Sequence, residues 1–182
     1  MELKADLWFP SIVFAGINDE IPRADLKTIA EAWQKSEPDL AGNSNEGGWH
    51  SRSIENIDLL PPNIQPTFNT LLIELDKAIA YCTKSAGFPK LVFQNLWINI
   101  NPPDAFNMKH NHPTNDLAGV LWIKAPKDCG NIIFSSPKSF AISREIDSYR
   151  EDFQKDICYF HSYYFPPVSY THLRAHETVL DL

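Results

Sequence analysis

Leu91–Asn101, LVFQNLWININ, alternates along its second half. Leu96, Ile98 and Ile100 fall on one side, and Trp97, Asn99 and Asn101 on the other, the period of a half-buried strand. Pro102–Ala105 turns the chain, and short strands are expected at Phe106–His112, Leu117–Lys124, Asn131–Ser135 and Ile157–Phe165. Ser139–Gln154 reads as loop with a helical turn. Upstream the texture differs. Leu7–Gly16 is a short apolar strand, and Pro10 suits an edge. Pro22–Ser36 is a helix with Leu26, Ile29, Ala30 and Trp33 on its buried face, stopped by Pro38. Ala41–Ser53 is a Gly/Asn/Ser loop around Trp49. A second helix runs over about Gln65–Ser85, with its stripe at Phe68, Leu71, Leu72, Leu75 and Ile79 and a stop at Gly87 and Pro89. Helices first and short strands after suit an α+β sandwich or double-stranded β-helix (jelly roll), with the helices packed outside.

The bulk properties narrow the function. The 182 residues fit one domain, and 43% hydrophobic against 21% charged residues allow a packed core. A net charge of −7 argues against general nucleic-acid binding, which needs clustered Lys and Arg. Cys82, Cys129 and Cys158 form no CxxC pair and read as reduced thiols. No apolar run reaches the ~18 residues of a membrane helix. Met1–Pro10 carries Glu2, Lys4 and Asp6 and does not read as a signal peptide, so no membrane partner and a cytoplasmic location are expected.

The strongest local signal is Asn107–Pro113, NMKHNHP. On a strand, His110 and His112 project from one face, so both imidazoles reach one ion. Pro113 ends that strand, where a barrel mouth would lie. The plainer reading is two polar histidines beside a turn. Fe(II) held facially by three protein groups keeps open positions for a cosubstrate and oxygen.

Four pieces in consistent order carry a resemblance. Gly47–Ser51 (GGWHS) looks like a GGWxS element, and Leu96–Asn101 (LWININ) like a W-x-N-x-N strand. His110–Pro113 followed by Leu117–Ile123 resembles an HxHP…LSGVYY signature, and Asn131–Lys138 a strand ending in DPR. Together, from about Trp8 to Pro167, the chain resembles a 2-oxoglutarate/Fe(II)-dependent oxygenase family known largely from bacterial, phage and metagenomic sequence. That resemblance implies Fe(II) and 2-oxoglutarate as cofactors, O2 as cosubstrate, and His110 as the first iron ligand. His112 stands where the family has a carboxylate, which leaves the iron more positive, and Asp116 is an alternative ligand. Trp97, Asn99 and Asn101 would line the cosubstrate pocket, and Trp49 would close the substrate site or anchor its loop. Ala118, Leu121, Trp122, Ser135 and Lys138 depart from the family's Ser, Tyr-Tyr, Asp and Arg.

In this family a distal His follows a strand of the form GxLxxFPxxxxH, with a basic residue about ten positions on to pair with 2-oxoglutarate. Neither is identifiable after Tyr163–Pro167. Val168–Thr178 instead resembles the translation of a sequencing adapter, with Val179–Leu182 as index. The expected division is therefore 1–167 as a truncated oxygenase-like domain and 168–182 as a non-native tail. His172, Arg174 and His176 then mimic a ligand and clamp by accident, and His161 precedes the expected strand. A barrel cut short in this way would bind iron poorly and leave unpaired strand edges. The rivals are a non-catalytic jelly-roll binding module and a cupin-like metalloenzyme that does not use 2-oxoglutarate.

Overall fold

The computed structural model describes residues 12–42, 44–113, 115–126, 129–134, 163–165 and 170–175. The chain divides into two units, one of Ser11–Pro126 with Val168–Leu182, the other of Met1–Pro10 with Lys127–Pro167.

Two helices anchor the first unit. Helix α1 spans Arg23–Ser36. The helix begins one residue later than expected, so Pro22 occupies its N-cap, and its carbonyl accepts from Leu26 N–H at 3.0 Å. Leu26 and Ala30 are buried, with Ile29 and Trp33 packed partly against the same core. Helix α2 spans Gln65–Ala86, with Pro66 in its first turn, where a missing N–H leaves no bond unmade. Gly87 ends it in the left-handed region at φ 72°, and the Thr83 carbonyl accepts from both Gly87 and Phe88.

The stripe of α2 buries Phe68, Leu71 and Leu75, and Cys82 extends it. Glu74 is also buried on this helix. Its carboxylate accepts from Lys77 Nζ at 2.5 Å and Asn18 Nδ2 at 3.0 Å, and these two bonds hold its pKa below the ordinary value. Burial pushes the Cys82 thiol up, which keeps it protonated. One core joins both helices to the strand region: Leu26, Phe68, Leu71, Leu75, Trp49, Ile54, Leu96, Ile98 and Leu121 all belong to it.

The strands are short. β1 (Val13–Ile17), β6 (Leu117–Leu121) and β9 (Tyr170–Ala175) form one sheet in the order β1-β9-β6. β9 is antiparallel to both neighbours, with His172 opposite Ala15 on one side and Val120 on the other. The expected unpaired edges are therefore absent from the facing sides of β1 and β6. Main-chain ladders need an extended backbone and not a particular sequence. Three two-stranded pairs complete the described strands. β2 (Asn45–Glu46) pairs β5 (Phe106–Asn107), and β3 (Trp49–His50) pairs β4 (Asn99–Ile100). In the second unit β7 (Ile132–Phe134) pairs β8 (Tyr163–Phe165).

The architecture is α+β, as expected, but the described strands do not assemble a jelly roll. The ladders are broken at intervals by residues unsuited to them. Pro102 and Pro103 lack the N–H, and Asp104 sits at φ 70°. Leu91–Asn95 lies outside any strand; pairing begins at Leu96, which exchanges bonds of 2.7 and 3.1 Å with Ile54. The Ala41–Ser53 segment, expected as loop, contributes β2 and β3. Residues 1–11, 135–162, 166–169 and 176–182 fall outside the described residues, and with them Pro10, Ser135, Lys138, Cys158, His161 and His176.

Candidate metal site

The GGWHS segment folds back along LWININ, and each of its residues has an assignable task. Gly47 adopts φ +74°, open to glycine. Gly48 approaches Asn45 and Asn101 so closely that a Cβ would collide with both side chains. Trp49 is opposite Ile100 and His50 opposite Asn99. Ser51 is buried; its N–H donates to Ile98 O at 2.8 Å and its Oγ accepts from Ile98 N–H at 2.9 Å. The hydroxyl stands in for a ladder carbonyl.

Trp49 belongs to the core. It is 3% exposed, its indole N–H donates to Glu37 O at 2.7 Å, and its ring meets Trp33 edge-on at 6.2 Å. Its contacts are those of a loop anchor.

His110 and His112 do not lie on a strand. β5 ends at Asn107, Met108 N–H makes a last bond to Ser44 O at 2.7 Å, and the chain then leaves the ladder. Pro113 offers no N–H with which to resume it. The two rings nonetheless meet, with centroids 5.0 Å apart and planes at 74°. His110 is exposed, and its Nδ1 lies 2.6 Å from Met108 O. A carbonyl only accepts, so Nδ1 carries the proton, and in the neutral ring Nε2 keeps its lone pair. His112 is half-buried, and its Nε2 is buried with no hydrogen-bond partner among the described residues. Burial first, and the adjacent His110 second, hold its pKa below the ordinary 6.5.

The remaining expected residues are placed as follows. Trp97 stacks obliquely on His112 at 5.8 Å and 31°. Asn99 has its Oδ1 buried without a hydrogen-bond partner among the described residues, and exposed Asn101 accepts from Asn45 Nδ2 at 2.8 Å. Asp116 is exposed just before β6, and no group of three metal-ligating side chains forms among the described residues. Ala118 and Leu121, which replace family Ser and Tyr, are buried in β6. His50, Asn45 and Ser51 were not singled out from sequence. The double glycine is the signal that locates them, since it marks close backbone approach.

The lowered pKa predicts a pH dependence. As pH falls below 6.5 the unfolded chain protonates His112 before the folded chain does, so stability falls with pH until the folded pKa is passed. Denaturant melts from pH 7.5 to 5 should show this slope, and His112→Phe should remove its His112 share.

Residues 95–167 match the profile of a protein family described as "Putative 2OG-Fe(II) oxygenase". The matched segment contains LWININ and HNHP, and the match supports an oxidoreductase. Gly47–Ser51 lies before the matched segment but is hydrogen-bonded into it. No curated protein matches the chain. No helix among the described residues is long and apolar enough to cross a membrane.

Proposed function

We propose that the chain derives from a non-haem Fe(II), 2-oxoglutarate-dependent oxygenase, with His110 and His112 holding the iron. The observation that carries this reading is the buried, unpartnered Nε2 of a neutral-leaning His112 beside a second imidazole whose tautomer leaves Nε2 open. Buried polar atoms without partners are uncommon, and metal ligation is one established reason for them. The donor set fits two positions of a facial site. Asp116 is the alternative to His112 for the second ligand position.

The iron, when bound, supplies oxygen activation coupled to 2-oxoglutarate decarboxylation. The chain's residues orient and shield. The Met108 carbonyl fixes the His110 tautomer, and the Trp97 indole covers one side of His112. Asn99 and Asn101 share a strand face with Trp97 and offer amides to a carboxylate. The reading takes 1–167 as one oxygenase-like domain of jelly-roll ancestry and 168–182 as a foreign tail. With two ligands assigned, this chain should bind iron weakly and release little succinate.

Anaerobic titration with Fe(II), then with 2-oxoglutarate, tests the reading. Weak iron binding that 2-oxoglutarate strengthens is the expected result. 2-Oxoglutarate binding equally well without iron would replace it with the binding-module reading. Iron binding indifferent to 2-oxoglutarate would point to a cupin-like metalloprotein.

A further inference from the structure

Beyond the two ligands, the geometry points to His50 as a positioning residue for the metal pair, acting through Trp97 on His112. The inference rests on the proposed reading of His110 and His112 as ligands. The His50 and Trp97 rings stack at 5.6 Å and 19°, and Trp97 in turn meets His112 at 5.8 Å.

His50 is itself held from several directions. Its Nδ1–H donates to Ser51 O at 2.6 Å, and Ser51 is locked to Ile98 on both sides of its peptide and hydroxyl. Its register partner is Asn99. The backbone of Gly42 lies against the imidazole, where a Cβ would meet Cγ at 2.6 Å and Nε2 at 2.9 Å. No alanine fits there without moving the ring. An indole backed by a fixed, flat neighbour has few alternative rotamers, and His112 packs against that indole. Lys109–His112 has left the ladder, so no strand register fixes the direction of the His112 ring. Groups that orient a ligand in this way change metal affinity without touching the metal.

The test uses the whole chain with histidine rings isotopically labelled. In the metal-free protein, the His112 ring protons feel the Trp97 ring current and report the stacking directly. His50→Ala should move the His112 resonances toward those of a free imidazole and weaken Fe(II) binding about 10-fold. His50→Phe, which keeps a flat ring against the indole, should restore both. Gly42→Ala, which leaves His50 in place but displaces its ring, should move the same resonances and carries the test if the alanine variant does not fold. Unmoved His112 resonances in His50→Ala and Gly42→Ala would overturn the inference, as would a phenylalanine variant no better than alanine. Failure of the unmodified chain to bind Fe(II) would instead remove the metal reading while the ring-shift comparison still decides the positioning role.

Discussion

Trp49→Ala is expected to destabilise the unit that contains it by about 3–5 kcal/mol, the usual cost of emptying a large aromatic site in a core. The side chain is 3% exposed and fills space between α1 and the strand region, against Trp33. Its removal also strips the Glu37 carbonyl of the indole N–H. That carbonyl sits at the end of α1, where acceptors already lack helical partners. Against a typical total stability of 5–15 kcal/mol, such a loss leaves a substantial unfolded fraction. Trp49→Phe separates the contributions, since it keeps most of the apolar contact and loses the hydrogen bond, at about 1–2 kcal/mol. Urea melts followed by circular dichroism give both numbers. A Trp49→Ala chain as stable as the parent, but altered in ligand binding, would return this residue to the substrate wall.

His112→Phe is expected to act in two opposed directions. Metal affinity should fall by more than ~100-fold, since loss of a ligand exceeds the 10–100-fold cost of losing a group that merely orients one. The metal-free chain should become no less stable, and by up to about 1–3 kcal/mol more stable, because a buried Nε2 without a partner is exchanged for carbon of similar shape. A histidine retained for packing would show the reverse: unchanged metal affinity and a lower melting midpoint. His110→Ala should share the loss of affinity with little effect on the melt, as its ring is exposed. Isothermal titration with Fe(II) and a paired thermal melt read both effects.

The helices and their buried faces were legible because the period of a helix is local. Leu26 and Ala30 on α1, and Phe68, Leu71 and Leu75 on α2, follow from spacing alone. The alternation of Leu96–Asn101 likewise predicts the burial of Leu96 and Ile98. Glu74 escaped that reading, because its carboxylate is held jointly by Lys77, one turn on, and by Asn18, distant in sequence. The partnership of GGWHS with LWININ is another long-range fact. Each segment looks ordinary by itself, and only their antiparallel register brings His50 to Trp97 and Gly48 to Asn101. The meeting of His110 and His112 was anticipated for a reason that does not hold. A strand was to align them, yet a loop after β5 does so, with Trp97 beside His112. The pair itself lay open in the sequence; its supporting shell did not, because ring stacking between separate segments leaves no periodic trace.

Without Tyr170–Ala175, β1 and β6 would face one another across a slot two strand spacings wide, roughly 9–10 Å. Both run antiparallel to the strand between them, so they are mutually parallel and could not simply slide together into the ladder they now share with it. A sheet of this design could close only through a new, parallel ladder. It invites an incoming extended peptide, from a neighbouring molecule or a synthetic mimic, to dock as a replacement rung, whatever side chains that peptide bears.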